Sequence, residues 1–135
     1  MAAHHEALIF AMVMASAADR NMADEEMRKI GVIVETLPVF ADFDEEELAD
    51  AAAKCAEMLN DEEGMADTLD FIRDTLPKKF RETAYALACD VVASDGEGSQ
   101  EELRMLELIR HRLDIDRLSA AGIERGAAAR HRVLG

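Results

Sequence analysis

Several things are scarce in this 135-residue chain. It has only two prolines and seven glycines, and no stretch keeps up an apolar–polar alternation. Strands are therefore not expected. Its two cysteines, Cys55 and Cys89, form no Cys-x-x-Cys pair. Each lies on an apolar stripe, which favours buried, reduced thiols over a disulfide. Long apolar runs are also missing. The longest uncharged run, Ala7 to Ala18, has twelve residues, well short of the roughly 20 that a spanning helix needs. The amino terminus shows no basic region followed by a cleavage pattern, so a cytoplasmic protein with no direct membrane insertion is expected. Basic residues are the last shortage. Fifteen Lys and Arg face 29 Asp and Glu, a net charge of −14. That balance disfavours nucleic acid, whose phosphates need Lys and Arg, and disfavours anionic lipid.

What is present is helical periodicity. Half of the residues are hydrophobic, enough for a core in one domain spanning 1–135. Apolar residues recur at three- and four-residue spacing in six segments. Leu8, Ile9, Met12 and Val13 mark the first, within 4–18, and Met27, Ile30, Val34 and Leu37 the second, within 24–37. Leu48, Cys55, Met58 and Leu59 follow within 44–59, then Met65, Leu69, Ile72 and Leu76. Phe80, Ala84, Leu87, Val91 and Val92 lie within 78–94, and Leu103, Leu106, Ile109 and Leu113 within 100–113. A seventh, Ala-rich helix spans 117–132. Pro38 and Pro77 each follow a Leu that closes a stripe, which marks helix ends. Ser99-x-x-Glu102 is a capping box, Asp44-x-x-Glu47 resembles one, and Asp116 or Ser119 suits the start of the last helix.

Charge is uneven along the chain. Residues 42–74 carry thirteen acids against Lys54 and Arg73, a net of −11. Residues 110–135 carry six arginines against three acids, a net of +3. The acidic stretch reads as the solvated face of two helices, or as a surface that attracts cations or a basic partner. The basic tail fits the negative end of the last helix, or folds back on the acidic middle.

Sliding the chain by 76 residues superimposes two helix-turn-helix units. Asp19 meets Asp95, Glu25 meets Glu101, Glu26 meets Glu102, Arg28 meets Arg104 and Ile30 meets Leu106. Each unit is an apolar helix ending in Asp, a polar turn, and a helix opening with Glu-Glu. Duplicated units commonly pack about a pseudo-twofold axis, so the two acidic turns are expected in related positions. Carboxylates gathered from turns suit Ca²⁺ or Mg²⁺. The EF-hand pattern fails, because Asp24 and Gln100 stand where it needs Gly, and Ile30 and Leu106 where it needs Glu. Helix-start acids also have a plain structural explanation in capping and the helix dipole.

The Ala-Ala-Asp that ends the first helix, with Glu seven residues on, resembles the tellurite-resistance TerB family. So does Ala93-Ser94-Asp95-Gly96 with Glu102, Leu103, Leu106 and Leu113. The likeness runs from Ala7 to about Arg132. The first copy departs from the pattern at Arg20, where Gly is preferred, and at Ala23, where a Ser or Thr cap is usual. The resemblance implies an all-α single domain of about seven helices with an internal pseudo-twofold helix-turn-helix repeat, in bacterial cytoplasm. It implies a non-enzymatic role in tellurite resistance and chemical stress, with protein partners in a membrane-associated complex. It also implies a divalent metal ion (Ca or Mg) held by Asp19, Glu26, Asp95 and Glu102.

Catalysis finds little support. His4 and His5 sit at a terminus expected to fray, and His111 and His131 lie among arginines. There is no phosphate-cradling Gly-rich loop, nucleophile elbow or complete zinc set. The alternative function is a metal-independent acidic adaptor that docks a basic protein partner through Glu45, Glu46 and Glu47. Direct capture of an oxyanion is unattractive on bulk charge, since a −14 chain repels it.

Overall fold

Proline and capping residues set several of the helix ends. The computed structural model describes residues 2–16, 24–94 and 98–134. Within them lie seven α-helices and no strand: α1 (Ala3–Ser16), α2 (Asp24–Thr36), α3 (Leu48–Leu59), α4 (Gly64–Thr75), α5 (Arg81–Ala93), α6 (Gln100–Arg112) and α7 (Arg117–Arg130). Pro38 opens a short 3₁₀ turn (Pro38–Phe40), and Pro77 precedes another (Lys78–Phe80) that leads into α5. Both prolines therefore separate helices as expected. Asp44 caps a third 3₁₀ turn, Glu45–Glu47, by accepting from the Glu46 N–H rather than from that of Glu47. The segment expected as one helix over 44–59 thus begins as a tighter turn.

Helix α1 is the axis of the molecule. Only one stripe of it was expected to be buried, yet every residue from Ala7 to Ser16 is buried. A helix that is apolar all round belongs inside a protein. It packs most extensively on α5, and also on α2, α3, α4 and α6. Its one buried hydroxyl, on Ser16, donates to the Met12 carbonyl at 2.9 Å, so no polar group is stranded. The Cys55 thiol of α3 donates toward the Phe10 carbonyl at 3.8 Å. Tyr85, Leu87, Ile72, Ile109 and Leu113 complete the core around it.

The repeat is visible in the packing. One unit is α1 with α2, the other α5 with α6. The two apolar helices α1 and α5 lie against each other, and each also touches the second helix of the opposite unit, α1 with α6 and α5 with α2. Reciprocal contacts of this kind are what a pseudo-twofold arrangement produces.

Two helix junctions have tight backbone. Gly64 opens α4 directly against the end of α3, where an added Cβ would lie 2.3 Å from the Met58 carbonyl oxygen. At the end of α6 the Asp114 N–H donates to the His111 carbonyl and the Ile115 N–H to the Arg110 carbonyl. That is a Schellman closure, and Asp114 occupies its left-handed position at φ 57°.

Candidate functional site

The four acids expected to hold a cation divide into two pairs. Asp19 and Asp95 lie outside the described residues. Glu26 and Glu102 are described, and each stands in the first turn of its helix. Among the described residues no three His, Cys, Asp or Glu side chains gather as a metal-binding group.

Glu102 is buried, and it completes the expected capping box. Its backbone N–H donates to the Ser99 hydroxyl at 3.1 Å, and its carboxylate accepts from the Ser99 N–H at 2.9 Å. Glu26 is different. Its side chain is half-buried, and Oε2 is enclosed with no hydrogen-bond partner among the described residues. An enclosed carboxylate oxygen without a donor is costly, so such an oxygen calls for a proton, a donor or a cation. The repeat aligns these two glutamates, yet among the described residues Glu102 is committed to its own helix start while Glu26 keeps one oxygen without a donor. Asp90, an acid with no equivalent in the first unit, is held by the end of α7. It accepts from Arg130 Nη2 at 2.6 Å and lies 3.3 Å from His131 Nε2.

The amino-terminal histidines do not fray. His5 is buried, and its Nε2–H donates to the Val39 carbonyl at 2.8 Å. Its ring packs against Phe40 and Phe43, with centroids 5.5 and 5.4 Å away. The imidazole therefore ties the start of α1 to the 38–43 turn. Its partners lie 34 or more residues away, out of reach of any local reading. His4, beside it, has its pKa lowered by desolvation and by the neighbouring His5.

A cleft between α5, α6 and α7 has no signal in the sequence. It has a volume of about 410 Å³ and is walled by Cys89, Val92, Leu106 and Ala127. At its floor the buried Tyr85 hydroxyl donates to Glu124 Oε2 at 2.5 Å. Burial and that bond hold the phenol above its ordinary pKa. Cys55 and Cys89 are both free and buried, as expected, and burial pushes both thiols up to about 12. Thiols so protonated are poor nucleophiles.

Among the described residues no helix is long and apolar enough to cross a membrane. Most acids of the 42–74 stretch, including Asp44, Glu45, Glu46 and Glu62, are exposed. Desolvation and the neighbouring Glu35 hold the Glu45 carboxyl above its usual range. Like charges are therefore crowded where α2 ends and the 44–47 turn begins.

No curated protein and no solved structure matches the chain. The family model for tellurite resistance protein TerB matches residues 5–124, which takes in both repeat units and most of α7. The all-α fold, the paired helix-turn-helix units and this match agree, and the chain belongs to the TerB family.

Proposed function

We propose that this tellurite-resistance-type module binds a divalent cation, Ca²⁺ or Mg²⁺, through its repeated acidic turns. It acts without catalysis, in bacterial cytoplasm, by presenting itself to protein partners of a membrane-associated stress complex. The observation that carries the cation reading is the enclosed Oε2 of Glu26, which has no hydrogen-bond partner among the described residues. Oxygen donors of this kind suit hard cations. Glu26 and Glu102 stand at helix starts that the repeat relates to each other, and Asp19 and Asp95 are the turn acids that would complete the set. A cation there would also offset carboxylates in aspartates that follow apolar helices, at the end where the dipole disfavours them.

Calorimetric and NMR titration with Ca²⁺ and Mg²⁺ tests this. Saturable binding is expected, with shifts at 24–26 and 100–102. Glu26→Gln should weaken it by about tenfold or more, since one charged ligand is lost. A chain that shows no site-specific response at millimolar cation sinks the cation reading.

A second reading rests on the crowded carboxylates at 44–47. It makes this face the dock for a basic protein partner, with no metal needed. Reversing Glu45, Glu46 and Glu47 to Lys should then abolish capture of that partner, while Glu26→Gln leaves capture intact. Capture that survives the reversals excludes this surface.

A further inference from the structure

We propose that a cleft at the opposite end of α5 and α6 binds a phosphate group, either as the free ion or as the head of a small monoester. The end of α4, the start of α5 and the end of α6 bring Arg73, Arg81, His111 and Arg112 around one cavity of about 470 Å³, with Leu69 and Leu108 as apolar walls. Three guanidiniums sharing one cavity is unexpected in a chain of net charge −14.

Two details point to a ligand. Asp70 lies between two of the arginines: its Oδ1 accepts from Arg112 Nη1 and stands 3.5 Å from Arg73 Nη2. One carboxylate thus orients two forks, and most of their N–H groups stay uncommitted to it. Arg73 Nε is turned the other way, donating to Asp74 at 3.1 Å. The third guanidinium, that of Arg81, has its Nε–H buried with no hydrogen-bond partner among the described residues. A buried donor left unmade is costly, and an oxyanion oxygen in the cleft supplies the acceptor.

Guanidinium forks match phosphate oxygens in pairs. Three of them suit a tetrahedral dianion better than a single carboxylate. Asp114 also lines the cleft and subtracts one charge. Lys78 and Lys79 line an adjoining cavity that shares Arg81, and Glu82 and Asp116 on its walls offset them. The bulk charge does not forbid the site, because exposed carboxylates farther than about 10 Å are largely screened at 0.1 M salt. The leucine walls offer nothing to inorganic phosphate but can pack against the organic part of an ester.

The test is an NMR titration of the full chain at about 0.1 M ionic strength, where distant carboxylates are screened, that follows the arginine Nε–H signals, with inorganic phosphate and phenyl phosphate as probes and acetate for comparison. Saturable movement of the Arg81 Nε–H with either phosphate, and none with acetate, is expected. Tighter binding of phenyl phosphate identifies a monoester, and equal binding identifies the free ion. Arg81→Lys and Arg112→Gln should each weaken binding by about tenfold, whereas Arg125→Lys, outside the cleft, should not. The wild-type signal does not depend on how the variants fold. An Arg81 Nε–H that stays fixed at millimolar phosphate overturns the proposal, as does unchanged affinity in both cleft variants.

Discussion

Helices α5 and α6 are joined through residues 94–99, yet they carry charge in opposite senses. Helix α6 follows its own dipole, with Glu101 and Glu102 in its first turn and Arg110, His111 and Arg112 in its last. Helix α5 runs against it. It opens on Arg81, beside Glu82, and carries Asp90 in its last turn. Charge placed against a dipole needs a partner from elsewhere. Asp90 has one, since Arg130 at the end of α7 and His131 just beyond it meet it. The Arg81 Nε–H has none among the described residues. The helices are 13 residues each, about 18–20 Å long. They therefore separate an acidic end, where Glu102 starts α6, from the guanidinium end. Charge that suits its helix explains itself locally, and charge that does not directs attention to tertiary partners or ligands.

Packing should outweigh end charges and caps in holding α6. Ile109, fully buried on α6, should lose about 2–5 kcal/mol on Ile109→Ala. Removing the α6 cap with Ser99→Ala should cost only about 1 kcal/mol. Denaturant unfolding of both variants measures the difference. Equal losses would mean that end charges and caps, not the buried face, hold α6 in place.

Alkaline pH gives a smaller, graded effect. Cys55 and Cys89 are held at about 12 against an ordinary 9.0, so between those values the folded chain keeps protons that the unfolded chain releases. Stability therefore falls as pH rises through that window and is unaffected by these thiols below it. The gap between thermal melts of wild type and Cys89→Ala, set at lower pH by lost packing, should change only there. Matching slopes across the window would show that the α5 thiol is not held protonated.

The smallest expected effect is the most telling. Arg81→Met removes a buried donor that has no acceptor among the described residues, so stability should change by less than about 0.5 kcal/mol or rise. A large loss would mean that the guanidinium holds the fold together, and would take away the reason for assigning it to a ligand.

Much of the fold is legible in the residues themselves. Pro38, Pro77, the Ser99–Glu102 box and Asp116 all signal helix boundaries, and the structure uses each of them, with Asp116 accepting from the Ser119 N–H. The 76-residue repeat reappears as the pairing of α1 with α5. The candidate cation residues were legible as aligned acids, but alignment treats Glu26 and Glu102 as equals. Only the structure shows that Glu102 is committed to Ser99 while Glu26 Oε2 is left without a donor among the described residues. Periodicity misjudged α1 because it looks for one apolar face, whereas an uncharged run such as 7–16 has no polar face to expose. The arginine cleft was invisible because its residues come from three helices and are separated by acids that dominate any charge count.

The residues alone settled that the chain is helical, several of the helix ends, how charge is sorted within each helix, and the family. These depend on caps, prolines and neighbours three or four residues apart, interactions that act within a turn or two of the chain. Tertiary structure alone decided that α1 is the axis, that His5 anchors to Val39, that Asp90 belongs to Arg130, and that three arginines share one cavity. Those pairings join residues tens of positions apart. They form only when burial of the apolar faces has brought the helix ends together, and no local pattern encodes which ends will meet.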